Sequence, residues 1–89
     1  MKERAEALIK VHRADEAITL IEAHRNGGGE MDDALYYILG NAWRQKGNWQ
    51  MAMNNYLEAV RLNPQSPAAA ALEIANDILA FYNKDLYNP

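Results

Sequence analysis

Residues 33–66 read DALYYILGNAWRQKGNWQMAMNNYLEAVRLNPQS, and the order of small and large side chains in this stretch decides the fold. Tyr36-x-x-Leu39-Gly40-x-x-Trp43 sets two aromatics and a leucine at helical spacing around a glycine. Ala52-x-x-x-Tyr56 repeats the small-then-large order one helix later. Asp32 is placed to cap a helix from about Asp33 to Lys46, whose acidic start and basic end match the helix macrodipole. Gly47-Asn48 closes it, and Asn48 caps a second helix from Trp49 to Leu62. Asn63-Pro64 stops that helix, because proline cannot continue the hydrogen-bond ladder. Helices joined by so short a turn pack antiparallel, and the sequence assigns Gly40 and Ala52 to the point where their axes come close. Tyr36, Trp43, Trp49 and Tyr56 then fill the space around those small residues, with Leu39, Ala59 and Leu62 completing the packing.

Outward from this hairpin the apolar positions keep helical spacing, and no alternating strand pattern appears, so the chain is expected to be all-α. A short helix from about Lys2 to Val11 carries Ala5, Leu8 and Ile9 on one face. After a turn at His12-Arg13, a second from about Ala14 to Arg25 carries Ala17, Ile18 and Ile21. Gly27-Gly28-Gly29 ends it, since three successive glycines lose too much backbone entropy to remain helical. Towards the C-terminus, Ser66 as cap and Pro67 at the first helical position start a fifth helix, which the alanine run Ala68 to Ala71 favours and which reaches about Tyr82. Residues 83–89 are a tail with two large apolar side chains, Leu86 and Tyr87, expected to fold back.

The pattern aromatic-x2-Leu-Gly-x2-aromatic, Ala-x3-aromatic and closing proline resembles the tetratricopeptide repeat, and residues 33–66 have the roughly 34-residue length of that family. Gly47, Trp49 and Ala59 also stand where such repeats place a glycine, an aromatic and a small residue. The resemblance extends more weakly to residues 1–26, where Ala5 and Leu8 hold the small and large positions and Ala17-x-x-x-Ile21 echoes the second helix. This stretch lacks the Leu-Gly pair, the aromatics and the proline. Residues 67–82 resemble the capping helix at the end of such arrays. The resemblance therefore implies one short α-solenoid over residues 1–89: a degenerate repeat at 1–26, a well-matched repeat at 33–66, a cap at 67–82 and the tail at 83–89.

A protein-interaction adaptor is the function that the resemblance implies, with a peptide or helix of a partner held on the concave face. The family's geometry puts Tyr37, Asn41, Arg44 and Gln45 of the firm repeat on that face, and Lys2, Glu6, Ile9 and Lys10 of the weak one. One subgroup grips C-terminal carboxylates with lysine, asparagine and arginine. Of those positions only Asn41 fits clearly, with Lys2 aligning with the first lysine; Glu6 stands where an asparagine belongs, and Ala71 and Ala75 replace the basic pair. A glutamate aimed at a carboxylate repels it, so this chain is not expected to receive such tails. The alternative function is self-association through the C-terminal helix, because Ile74, Ile78, Leu79, Phe81 and Tyr82 spread over more of it than one inward face needs. A monomer is the expected state and a homodimer the alternative.

Composition narrows the rest. Cysteine is absent, which excludes disulfides, thiolate metal sites and cysteine nucleophiles. Ser66 is the single serine and Thr19 the single threonine, so a serine triad has almost no raw material. His12 and His24 lack zinc-site spacing, and the adjacent carboxylates Asp15-Glu16 and Asp32-Asp33 point in different directions on a helix. The sequence thus predicts no enzyme, no metal and no cofactor. A net charge of -3 argues against nucleic acid as a partner. Charges of both signs in the first ten residues, and the lack of a long apolar run, argue against a leader or a membrane span, which makes the cytoplasm the expected compartment.

Overall fold

The computed structural model describes residues 1–82, so the expected fold-back of Leu86 and Tyr87 lies outside the described residues. Five helices follow one another: α1 Lys2–Lys10, α2 Ala14–Asn26, α3 Asp33–Gln45, α4 Trp49–Leu62 and α5 Ala68–Tyr82. The caps fall where the sequence sets them. Asp32 Oδ1 accepts from the Leu35 amide at 2.9 Å, Asn48 Oδ1 from Met51 at 3.1 Å and Ser66 Oγ from Ala68 at 3.1 Å. By contrast, Met1 and Arg13, which precede α1 and α2, make no side-chain cap.

α3 and α4 form the most extensive pair, and α1 with α2 makes a second hairpin. α2 packs on α3, and α5 closes the far side of α4. Buried residues fall into a series of layers: Ala5, Ile21, Leu35, Ile38 and Leu39 form one, Ala14, Ala17 and Ala42 a second, and Tyr56 with five alanines from α4 and α5 a third. A stack of layers is an elongated body. Its extents are 45 × 27 × 21 Å and its radius of gyration is 13.6 Å, against about 12 Å for a compact domain of this length.

The two hairpins correspond in register when their residues are matched 35 positions apart. His12 then matches Gly47, Arg13 matches Asn48, Ala5 matches Gly40 and Ile21 matches Tyr56. The turn needs a left-handed residue in both, and it is His12 at φ 61° in the first and Gly47 at φ 83° in the second. Gly40 is small for a more specific reason than approach of helix axes. A Cβ there would lie 2.5 Å from the ring of Tyr56, so it is that ring, and not the α4 backbone, that excludes a side chain. In the first hairpin the opposed residue is the smaller Ile21, and Ala5 fits with its Cβ; both are fully buried. The loop between α2 and α3 is held by His24, whose ring covers Gly29 and whose Nε2 donates to the Glu30 carbonyl at 2.9 Å.

Candidate functional site

α1 and α3 lie side by side and parallel, because they are tied at both ends. The Lys2 ammonium donates to the Asp32 carboxylate at their N-termini, and Gln45 Nε2 donates to the Ile9 carbonyl at 2.8 Å at their C-termini. These two ties use the side chains of two of the eight residues expected to face a partner and the carbonyl of a third. The bond from Lys2, joined by the Leu35 amide, holds the Asp32 carboxyl below its usual range, and Asp32 in turn raises the lysine. Ile9 is half-buried against the layers below. Glu6, Lys10 and Arg44 remain exposed, and no ion pair joins any of the three to another described residue.

Tyr37, Asn41 and Arg44 gather around one group that the sequence marks only as packing. The ring of Tyr56 passes beneath Gly40, and its buried hydroxyl donates to Asn41 Oδ1 at 2.5 Å. Tyr37 lies against the same ring, with centroids 6.0 Å apart and planes tilted by 39°. Burial pushes the Tyr56 phenol up to about 12, although the nearby Arg44 guanidinium acts in the opposite direction. The hydroxyl therefore stays a donor throughout the physiological range and fixes the Asn41 amide. The signal for this was present in Gly40 and Tyr56, whose sizes are complementary across sixteen positions of sequence, but nothing local states which way the hydroxyl points.

The residues expected to build the repeat divide by depth. Leu39, Gly40, Ala52, Tyr56 and Ala59 are buried, Tyr36, Trp43 and Trp49 are half-buried, and Gly47 and Pro64 are exposed at the turn and after α4. Asn63 Nδ2 donates to Asp33 Oδ2 at 3.0 Å and ties the end of α4 to the start of α3. Lys46 pairs with Asp15 and stands 5.6 Å from the centre of the Trp43 ring, which ties the turn after α3 to the start of α2.

On the opposite side of α3 a groove of about 630 Å³ opens between α2 and α4 over Tyr36, Leu39 and Trp43. Its charged rim is internally neutralised: Arg25 donates to both oxygens of Glu22 at 2.6 Å, and Glu58 accepts from Arg61. His12 and His24 line different grooves, the first with Asp15 and Glu16, the second with Glu30 and Asp32. Among the described residues no group of three or more histidine, aspartate and glutamate side chains is arranged to hold a metal ion. Nor is any described helix long and apolar enough to cross a membrane.

Residues 33–66 match the family described as Tetratricopeptide repeat. The solution NMR structure of Bacteroides fragilis protein BF1650 is 41% identical to this chain and superposes on it with a TM-score of 0.84, over 99% of this chain and 89% of that one. No curated protein matches the chain.

Proposed function

Since this chain belongs to the tetratricopeptide-repeat family, whose repeats generally mediate protein–protein interaction, we propose that it is an adaptor that holds a segment of a partner protein across α1 and α3. One observation carries this. After packing and the helix ties are accounted for, Arg44, Lys10 and Glu6 are left exposed on the parallel pair with no ion pair among the described residues, beside Tyr37, which is half-buried on the layer of Tyr56. Polar side chains of both signs beside a tyrosine suit an extended peptide or a helix, whose backbone and side chains they can address together.

The same residues speak against an anionic chain terminus as the ligand. Asn41 already accepts from Tyr56, Glu6 is exposed on α1, and Ala71 and Ala75 are buried against α4 rather than turned to a ligand. Among the described residues no catalytic constellation is assembled, and a non-catalytic role is in keeping with the family.

Capture from a cell extract with the wild-type chain, with Tyr37→Ala and with Arg44→Glu tests the reading. Partners held by the wild type should be lost from both variants. Equal retention by both variants would remove the α1–α3 face as the binding surface.

A further inference from the structure

α5 turns alanines to α4 and leaves two of its large apolar side chains exposed. Ala68, Ala71 and Ala75 are at most 9% exposed in the contact with α4, whereas Ile74 is 52% exposed and Phe81 74%. A helix that merely covers the end of a stack has the reverse arrangement, with large apolar residues inward and polar ones outward. Ile74, Ile78 and Phe81 follow the i, i+4, i+7 spacing of a single stripe, with the half-buried Ile78 between two exposed ends.

The flank of that stripe is uniformly acidic. Glu73 and Asp77 are exposed, and α5 contains no lysine, arginine or histidine. Elsewhere the carboxylates are mostly engaged: Glu3, Asp15, Glu16, Glu22, Asp32 and Glu58 each lie in an ion pair. Glu73 and Asp77 have none among the described residues. A second copy of this chain, itself at net charge -3, would bring the same acidic flank against this one.

We propose that the outer face of α5 docks a basic amphipathic helix of a partner protein, its apolar stripe on Ile74, Ile78 and Phe81 and its lysines or arginines opposite Glu73 and Asp77. This is independent of the α1–α3 surface. Apolar contact supplies the affinity, and the acidic flank selects the sign of the partner and its orientation.

The probe is a leucine–lysine peptide of about 14 residues, four helical turns, titrated into the full chain under amide NMR. Its counterpart has glutamate in place of lysine. The lysine peptide should shift the resonances of residues 70–81, and Ile74→Ser and Asp77→Lys should each weaken it about tenfold. The glutamate peptide should not bind. Glu30→Lys makes the same change in net charge in the loop before α3 and should leave the affinity within about twofold. Shifts centred away from α5, or equal weakening by Glu30→Lys and Asp77→Lys, would overturn the proposal. So would sedimentation showing a concentration-dependent dimer that Ile74→Ser abolishes, since the occupant would then be a second copy.

Discussion

The two hairpins place corresponding residues 35 positions apart and meet the same requirements with different side chains. Where the first has Ala5 against Ile21, the second has Gly40 against Tyr56. Where the first turns on His12 with no side-chain cap at Arg13, the second turns on Gly47 and is capped by Asn48. The exchange of isoleucine for tyrosine has the larger consequence. Ile21 ends in the core, whereas the Tyr56 ring continues through it and delivers a hydroxyl to Asn41, between Tyr37 and Arg44. In the second hairpin, therefore, one side chain both packs the core and organises the surface proposed to bind.

The largest expected effect comes from filling the space that the ring needs. Gly40→Val should cost about 3 kcal/mol in urea unfolding, because the ring of Tyr56 is buried and bonded and has nowhere to move. Copying the first hairpin, Gly40→Ala with Tyr56→Ile should be more stable than the sum of the two single changes by about 1 kcal/mol. Simple additivity would mean that the two positions are not the coupled pair described here.

Next in size is a dependence on high pH. The Tyr56 phenol is raised above its unfolded value of 10.0 to about 12 in the folded chain. Below pH 10 both states hold the proton and the stabilisation is complete; between pH 10 and 12 the unfolded state releases it first, so stability falls as pH rises. Relative to Tyr56→Phe, the wild type should lose stability progressively over that interval. Parallel profiles for the two proteins would contradict the buried phenol.

Smaller effects separate the hairpin starts. Asn48→Ala should cost about 1 kcal/mol and Arg13→Ala almost nothing, while Arg13→Asn should gain about 0.5 kcal/mol by giving α2 the cap it lacks. Least of all, His12→Gly should stabilise by about 0.5 kcal/mol, the relief of left-handed strain being partly offset by the freer unfolded chain. Gly47→Ala should act in the opposite direction. Thermal unfolding reads each of these, and equal responses from the two hairpins would erase the contrast.

Much of the fold was legible because its determinants are local. Caps at Asp32, Asn48 and Ser66 bind amides two or three residues away, and the small and aromatic positions of residues 33–66 have a spacing that few other patterns share. The site was less legible because its determinants join distant segments. Lys2 and Gln45 belong to the expected face by spacing, yet their partners, Asp32 and the Ile9 carbonyl, lie 30 and 36 residues away. Tyr56 stands in the pattern as a packing residue, and only the folded chain shows its hydroxyl among Tyr37, Asn41 and Arg44. For α5, the excess of large apolar residues is visible in sequence, but that the alanines take the inward face is not.

The central claim is that recognition occurs on the face of α1 and α3 and that the second hairpin organises it. Amide hydrogen exchange on the chain with and without a captured partner tests this most directly. Added protection in residues 2–10 and 33–45, lost when Arg44 is changed to glutamate, is the expected result. Protection gained instead across α2 and α4, on the side of the groove over Tyr36, Leu39 and Trp43, would contradict it.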